Sequence, residues 1–186
     1  GEHENLIKVL AQLDQGHIDR DDTEKRLGLV MELIPKSFYN LGLPPSLHSC
    51  TRDTFTMGTE FSLELIAKIA LQMADVMAHL HKIGISHGDV YAHNTLINDQ
   101  GDMLFGDFGA ATPLALLPPL QTEAMEKIEV RAFANLLDDL LQLSSIESQD
   151  CPLYRELSAI RDNGLRDTLA ERFSFVEIHS KLSAQN

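Results

Sequence analysis

The amphipathic stretch from Ser62 to His81 constrains the fold most, because its apolar residues recur at three- and four-residue steps. That spacing predicts one long helix with a single buried stripe. Ser62 is the predicted N-cap, and Gly84 is the predicted stop. The residues of the stripe are Leu65, Ile66, Ile69, Met73, Val76, Met77 and Leu80.

Two apolar runs of strand length precede this helix, at residues 6–12 and 27–34. The polar stretch between them has the composition of a solvated loop, so the runs are predicted to pair as antiparallel strands. Pro35 ends the second run, and a connection with several Pro and Gly residues follows over 36–58. Further helices are predicted at about 122–143, 152–162 and 174–183. Strands followed mainly by helices indicate an α+β fold.

Charge and composition narrow the function classes. The 28 acidic and 15 basic side chains leave a net charge of −13, which argues against a protein that mainly binds nucleic-acid phosphates. The longest apolar stretch, at 66–80, contains charged residues, so no membrane span is expected. The two cysteines, Cys50 and Cys151, cannot build a disulfide framework and favour a reducing cytosol. We therefore expect a cytoplasmic protein without nucleic-acid partners.

The segment from His87 to Gly109 contains the residues with the most chemistry. Asp89 is followed five residues later by Asn94, and Asn94 thirteen residues later by Asp107 of an Asp-Phe-Gly triplet. Each piece alone is common in turns, but this order directly after a long amphipathic helix is typical of phosphoryl transfer. Such chemistry needs an aligned acceptor and neutralised charge, for which Mg²⁺ on hard oxygen ligands is suited.

This segment resembles the catalytic loop and the Asp-Phe-Gly triplet of protein kinases. The resemblance implies that Asp89 accepts the proton of the substrate hydroxyl. It also implies that Asp107 and Asn94 hold Mg²⁺ and that ATP is the phosphoryl donor. His87 and Phe108 are expected to be packing residues of the core.

The sequence LVMEL, together with the residue after it, resembles the fifth strand and hinge of a kinase. This resemblance implies that Met31 is the gatekeeper of the nucleotide pocket. Backbone groups of Glu32 and Ile34 would bind the adenine edge, and Leu96 would form the floor beneath it. Gly106, directly before the Asp-Phe-Gly triplet, would also border the nucleotide.

The resemblance covers nearly the whole chain. Residues 3–10 are similar to the loop and fourth strand that follow helix C of a kinase. Residues 128–141 are similar to the central helix F, with Glu129 where the family usually has Asp. Residues 164–178 are similar to the closing helices, with Arg172 at the position of a buried arginine. Several motifs look most like kinase-like domains of bacterial proteins that also contain leucine-rich repeats.

The implied organisation is a remnant of the kinase upper lobe at 1–35 and a helical lower lobe at 36–186. No Gly-rich phosphate loop, strand lysine or helix C glutamate can be placed, and Lys8 lies on the wrong strand. A fragment of a longer kinase and a protein that has lost its upper lobe both explain this. We expect a fragment, because two strands cut from a sheet leave an unfinished edge.

Departures from the family pattern bear on activity. Gly88 replaces the arginine of His-Arg-Asp, which argues against control by phosphorylation of an activation loop. Tyr91 and His93 stand where Ser/Thr and Tyr kinases have the cations that steady the γ-phosphate. His93 either substitutes when protonated or is a loop histidine with a local hydrogen bond. The segment between Gly109 and Glu129 is also too short for a full activation segment.

Several further side chains have predicted environments. Because the activation segment is short, Glu123 or Glu126 is predicted to pair with the buried Arg172. Asp138 and Asp139 are interpreted as surface residues, since no third metal ligand accompanies them. The predicted core fillers are Met57, Met73, Met77 and Met103.

Three functions stay open on this evidence. The first is an ATP-dependent kinase acting on Ser or Thr hydroxyls of an unidentified protein. The second is a pseudokinase or nucleotide-binding signalling module, which binds a partner through the shell of the lower lobe. The third is a small-molecule kinase of the aminoglycoside or choline kinase type, in which His-Gly-Asp also occurs. The match to helix F and Arg172 favours a protein kinase over the third.

Overall fold

The computed structural model describes residues 2–15, 26–49, 52–145 and 151–184. Its helices are α1 (Leu63–Lys82), α2 (Pro119–Gln142), α3 (Pro152–Gly164) and α4 (Phe175–Ser183). Its strands are β1 (Val9–Gln15), β2 (Arg26–Met31), β3 (Tyr39–Asn40), β4 (Ile85–Ser86), β5 (Thr95–Ile97), β6 (Met103–Phe105) and β7 (Thr112–Pro113). The order confirms an α+β fold. Cys50 and most of the predicted loop between β1 and β2 lie outside the described residues.

Helix α1 forms the centre of the core, as its periodicity predicts. It begins after Ser62, whose hydroxyl accepts a hydrogen bond from the Leu65 N–H at 3.2 Å. It ends just before Gly84, which has a φ of +78°. Helices α2 and α4 pack against α1, and α3 packs against α2. The buried face of α1 consists of Leu63, Ile66, Ile69, Ala70, Met73, Ala74, Val76, Met77 and Leu80.

Strands β1 and β2 form the predicted antiparallel ribbon, with Val9 opposite Met31. Apolar side chains of the ribbon remain exposed, among them Leu10 at 64% and Leu29 at 60%. Within the described part of the chain, no third strand pairs with this ribbon. An apolar ribbon of this kind has open edges that can accept further strands.

The segment before β1 joins the ribbon to the helical body. The Ile7 N–H donates to the Phe105 carbonyl at 3.0 Å, and the Phe105 N–H donates to the Asn5 carbonyl at 2.7 Å. The Asn5 side chain also donates to Gln72 of α1 at 2.9 Å. Because β6 is the last strand of the sheet β3-β5-β6, this segment extends that sheet by one bridge.

The polar loop after α1 lies between two small sheets. Strand β4 enters this loop and pairs with β7, whereas β5 leaves it and pairs with β3 and β6. Helix α2 begins at Pro119, earlier than predicted, because proline is well suited to a first helical turn. The stretch from Phe108 to Pro118 therefore contains only two 3₁₀ turns and β7. The expected short activation segment is present.

The prediction for Arg172 is wrong. The guanidinium is buried, with 4% of the residue exposed, but it pairs with neither Glu123 nor Glu126 in the described structure. Instead its Nε donates to the Arg166 carbonyl and its Nη1 to the Lys127 carbonyl, each at 2.8 Å. Burial lowers the pKa of Arg172. Backbone carbonyls therefore supply the acceptors that a buried guanidinium requires.

Three of the four methionines predicted for the core are buried there: Met73, Met77 and Met103. The prediction for Met57 is wrong, because it lies in a turn beside Gly58 and is fully exposed. In the described ranges, no helix has both the length and the apolar character needed to cross a membrane.

The two methionine environments provide a matched test of the core. We expect Met73→Ala to lower the free energy of unfolding by about 2–5 kcal/mol, because it leaves a cavity in a fully buried stripe. Met57→Ala removes the same atoms from an exposed turn and is expected to change it by less than about 0.5 kcal/mol. Urea unfolding of both variants measures the difference, and equal losses would contradict the position of α1 in the core.

Candidate active site

Asp89 and Asn94 contact each other directly. The Asn94 side-chain amide donates to Asp89 Oδ2 at 2.9 Å and to the Asp89 carbonyl at 3.1 Å. Asn94 is buried and closes a single 3₁₀ turn, Ala92–Asn94, between the loop and β5. The five-residue spacing seen in the sequence therefore corresponds to a compact turn that orients the Asp89 carboxylate.

Asp107 is held in a constrained turn. Its backbone is left-handed, with a φ of 59° and a ψ of 74°, which is unfavourable for a residue other than glycine. Its side chain is exposed, and Oδ1 accepts a hydrogen bond from the Gly109 N–H at 3.2 Å. Strained residues of this kind concentrate at functional sites, where the surrounding structure holds them.

His87 supports the Asp107 turn from within the core. Its Nε2 bonds the Gly106 carbonyl at 2.9 Å, and its ring stacks on Phe105 with 4.2 Å between centroids. The Phe108 ring lies 4.9 Å away. Burial lowers the pKa of His87, so the neutral ring donates its Nε2 hydrogen to Gly106. The expected packing roles of His87 and Phe108 are confirmed.

Glu129 of α2 links the loop to two helices. Its carboxylate is buried, and Oε1 accepts from the Gly88 N–H at 2.7 Å. Oε2 lies 2.7 Å from His81 Nε2, at the end of α1. The sequence identified Glu129 but missed His81, for which only its place in the last turn of α1 was a signal.

Gly88 is required by close contact between two backbone segments. Its φ is +81°, and a Cβ there would lie 2.6 Å from the Ala110 carbonyl oxygen. No side chain fits this position without moving the turn that follows Asp107. The departure from His-Arg-Asp therefore has a steric cause in this chain, because the arginine position is filled by backbone.

One backbone group of the predicted hinge, the Glu32 N–H, already has a hydrogen-bond partner. The Glu32 N–H donates to the Lys8 carbonyl, and the Lys8 N–H donates to Glu32 Oε1, both at 2.9 Å. The Glu32 carbonyl and the Ile34 N–H have no hydrogen bond within the described ranges. Met31 ends β2 and is 40% exposed. The hinge can therefore offer one acceptor and one donor to a ligand.

The other predicted nucleotide residues lie on the body below the ribbon. Leu96 is half-buried on β5, opposite Leu104 of β6. Gly106 packs so closely against Ile7 that a Cβ would lie 2.5 Å from Ile7 Cδ1. Because Lys8 next to Ile7 is the partner of Glu32, residues 7–8 connect the hinge to the Asp107 segment.

Tyr91 lies among carboxylates. Burial, together with the charges of Asp89, Asp107 and Asp53, raises the pKa of Tyr91. The phenol is therefore neutral near pH 7 and supplies no positive charge to the site. Asp89 and Tyr91 also line one cavity.

The His93 ring is used locally. Its Nδ1 lies 3.2 Å from the Gly42 carbonyl, which is the local alternative drawn from the sequence. Gly42 also packs against the same turn, since a Cβ there would lie 2.6 Å from Ala92 Cβ. His93 therefore holds the turn against the segment before α1.

The interpretation of Asp138 and Asp139 as surface residues is wrong. Asp139 is buried, and both carboxylates bind Arg52, because the connection before α1 folds back onto α2. A sequence signal was available, since Ala132, Asn135 and Asp139 recur at helical steps and line one cavity. Their partners lie in a connection without periodicity, so the pairing itself could not be predicted.

The oxygen atoms at the centre of the site fit Mg²⁺. Asn94 uses its amide hydrogens on Asp89, which leaves Oδ1 available, and Asp107 presents an exposed carboxylate. Hard oxygen ligands of this kind suit Mg²⁺, which keeps several waters and takes phosphate oxygens as further ligands. Within the described residues, no group of three or more His, Cys, Asp or Glu side chains could hold a metal. The phosphates of a nucleotide would have to complete the coordination.

A family model for the protein kinase domain matches residues 2–127, which is more than half of the chain. The chain belongs to the protein kinase family. The match includes the ribbon, the hinge, α1, the loop with Asp89 and Asn94, and the Asp107 turn. It ends within α2, just before Glu129.

Individual relatives are kinases of several types. Mitogen-activated protein kinase kinase 10 of Arabidopsis thaliana is 34% identical over 48% of this chain and 25% of its own length. The CTD kinase subunit alpha of Schizosaccharomyces pombe is 28% identical over 56% of this chain and 16% of its own length. The Aurora kinase of the same yeast is 26% identical over 68% of this chain and 34% of its own length.

The matched part of the chain spans only 16% to 34% of these relatives. All three come from eukaryotes, and none of their names refers to leucine-rich repeats. The resemblance to bacterial kinase-like domains therefore stays a prediction.

Gly88 and Gly84 provide a matched test of the loop contact. Both have a positive φ, but a Cβ on Gly84 would meet no atom within 4 Å. We expect Gly84→Ala to cost about 1 kcal/mol of stability from backbone strain alone. Gly88→Ala should cost at least about 1 kcal/mol more, because it also displaces the Ala110 carbonyl. Thermal unfolding measures both, and equal losses would contradict the close contact.

Proposed function

We propose that this chain is the lower lobe, with a remnant of the upper lobe, of an ATP-dependent protein kinase. The reaction transfers the ATP γ-phosphate to a Ser or Thr hydroxyl of a protein and uses Mg²⁺. Family membership supports the reaction type, and the arrangement of Asp89, Asn94 and Asp107 supports the chemistry. A cytoplasmic location without nucleic-acid partners belongs to the same proposal and rests on composition.

The observation that carries the proposal is the Asp89–Asn94 turn beside the strained Asp107. Asp89 is oriented by Asn94 and is positioned to accept the proton of an incoming hydroxyl. Asn94 Oδ1 and the Asp107 carboxylate are the atoms that would hold Mg²⁺. When bound, Mg²⁺ neutralises charge on the phosphates and aligns them for transfer. His87, through Gly106, and Glu129, through Gly88, fix the backbone directly before Asp89.

Nucleotide recognition falls to the hinge in this proposal. The Glu32 carbonyl and the Ile34 N–H are the free acceptor and donor for the adenine edge. Met31 and Leu96 would contact the ring from the gatekeeper and floor positions, and Gly106 would border the phosphates. Residues 7–8 keep the hinge in register with the Asp107 turn.

We assign residues 1–35 to the upper lobe and 36–186 to the lower lobe. The exposed apolar side chains of the ribbon support this division, because an upper lobe would cover them. The Gly-rich loop and strand lysine of the family have no counterpart in the sequence. We therefore expect the 186-residue chain alone to bind nucleotide weakly and to turn over little or none of it.

A pseudokinase or nucleotide-binding signalling module is the second candidate, and Tyr91 favours it. Kinases steady the γ-phosphate with a cation near this place, whereas Tyr91 supplies a phenol, which is never a cation. One nitrogen of the His93 ring is used in a local hydrogen bond with the Gly42 carbonyl. A module of this kind would bind a partner through the shell of the lower lobe.

Nucleotide binding can be tested on the chain itself. We expect ATP with Mg²⁺ to raise Tm, and Asp107→Ala to abolish the Mg²⁺-dependent part of that rise. Asp162→Ala removes an exposed carboxylate on α3 and should leave the rise intact. A shift that needs no Mg²⁺ and survives Asp107→Ala would refute the metal assignment.

Catalysis and binding are separated by a second variant. Asp89→Asn should keep the Mg²⁺-dependent ATP shift, because Asp89 is not a proposed metal ligand. In a longer protein that contains the upper lobe, the same variant should reduce phosphotransfer by at least about 100-fold. Phosphoamino acid analysis of the product distinguishes Ser and Thr from other acceptors. Nucleotide binding with no transfer by the unaltered longer protein would favour the pseudokinase.

A further inference from the structure

Arg52 and Asp53 lie in the connection before α1, where Arg52 contacts α2 and Asp53 contacts the loop. Asp53 Oδ1 accepts a hydrogen bond from the Ala92 N–H at 2.8 Å. The Asp53 N–H donates to Asp139 Oδ2 on α2 at 3.0 Å. One residue therefore bridges α2 and the 3₁₀ turn that contains Asn94.

The attachment of Asp53 to α2 is itself held in place. Arg52 Nε donates to Asp139 Oδ1 at 2.8 Å, and its Nη2 bonds Asp139 and also Asp138. Arg161 of α3 donates to the other Asp138 oxygen at 3.2 Å. The two neighbouring carboxylates of α2 are thus neutralised by two arginines, and their positions are fixed from both sides.

The hydrogen bond of Asp53 to Ala92 is made to the turn that contains Asn94. Ala92 begins the turn that Asn94 ends, and Asn94 in turn orients Asp89. A cavity of about 450 Å³ lies beside the contact and is lined by Asp53, Asp89 and Tyr91 among others. Ala92 itself is buried, so packing holds its side chain while the Asp53 hydrogen bond holds its backbone N–H at the edge of this cavity.

We propose that Asp53 is a positioning residue that fixes the Ala92–Asn94 turn, and with it the Mg²⁺ and acceptor geometry of the site. This inference rests on the proposed function for its catalytic meaning. The hydrogen bond itself does not depend on that function. Asp53 acts through Ala92 and touches neither substrate nor metal.

A carboxylate at this position lowers the stability of the fold, which a purely structural role would not require. Burial raises the pKa of Asp53 to about 6, against the opposing effect of the Ala92 N–H. The groups that face it are Arg52 on its own segment, Asp139 on α2, and Asp89 and Tyr91 on the loop, which line the same cavity. An asparagine could accept the same hydrogen bond without the cost of a partly buried charge. The ionised carboxylate therefore strengthens the bond to Ala92 at the expense of stability.

The hydrogen bond between Asp53 and the Ala92 N–H can be observed without nucleotide. We expect the Ala92 amide signal in a proton–nitrogen NMR spectrum to shift with a midpoint near pH 6, as Asp53 ionises. The shift should vanish in Asp53→Asn and persist in Asp162→Asn, which alters an exposed carboxylate. An Ala92 signal that is constant from pH 4 to pH 8 in the unaltered chain would overturn the proposal.

The effect of Asp53 on the site is measured as the affinity of the chain for ATP in the presence of Mg²⁺ at pH 7.5. Asp53→Ala should weaken it by about tenfold, because a charge-assisted hydrogen bond to the turn is lost. Asp53→Asn should recover most of that loss, since its amide oxygen still reaches Ala92. Equal affinity of the two variants would overturn the positioning role. Absence of ATP binding by the unaltered chain would refute the proposed function alone, because the Ala92 signal needs no nucleotide.

Stability should depend on pH in the opposite sense to that of a paired surface carboxylate. Because the pKa is raised on folding, the folded chain binds more protons than the unfolded chain between about pH 4 and pH 6. The stability contributed by Asp53 therefore falls as the pH rises through this window. We expect Asp53→Asn to have the higher Tm at pH 7.5, with the difference vanishing near pH 4. A lower Tm for Asp53→Asn at pH 7.5 would contradict the buried charge.

Discussion

The buried carboxylate of Glu129 is the interaction on which the site depends. A carboxylate inside a protein must find donors, and Glu129 finds them in Gly88 of the loop and His81 of α1. The loop is therefore fixed to the two helices that form the core. The close approach of Gly88 to Ala110 then passes this constraint to the Asp107 turn, since neither backbone segment can move alone.

Three further hydrogen bonds hold the loop and the Asp107 turn in place. His87 holds the carbonyl before Asp107, Asn94 holds Asp89, and Asp53 holds Ala92. His87 and Asn94 belong to the loop itself, Asp53 comes from the connection before α1, and each uses a hydrogen bond of 3 Å or less. A loop of irregular backbone can be rigid on such terms because its polar groups are satisfied by side chains. Rigid placement is what phosphoryl transfer asks of a protein.

The family's usual sources of charge and control are reduced in this chain. Gly88 leaves no arginine for a phosphorylated activation segment, and the neutral Tyr91 leaves no cation at the γ-phosphate position. The residues proposed as Mg²⁺ ligands, Asn94 and Asp107, and the proposed acceptor-side carboxylate of Asp89 are present. The central experimental question is therefore whether the protein is a slow kinase or a nucleotide-binding module.

The sequence alone determined the long helix, its cap, the order of elements and the spacing of Asp89, Asn94 and Asp107, because these depend on local periodicity and motifs. Only the tertiary structure decided which polar groups meet. The bond of Arg172 to the Lys127 carbonyl, the bond of Arg52 to Asp139 and the contact of Asp53 with Ala92 all join segments far apart in the chain. Pairings of this kind follow from how the connection before α1 and the segment after α3 fold onto α2, and no local pattern encodes those paths.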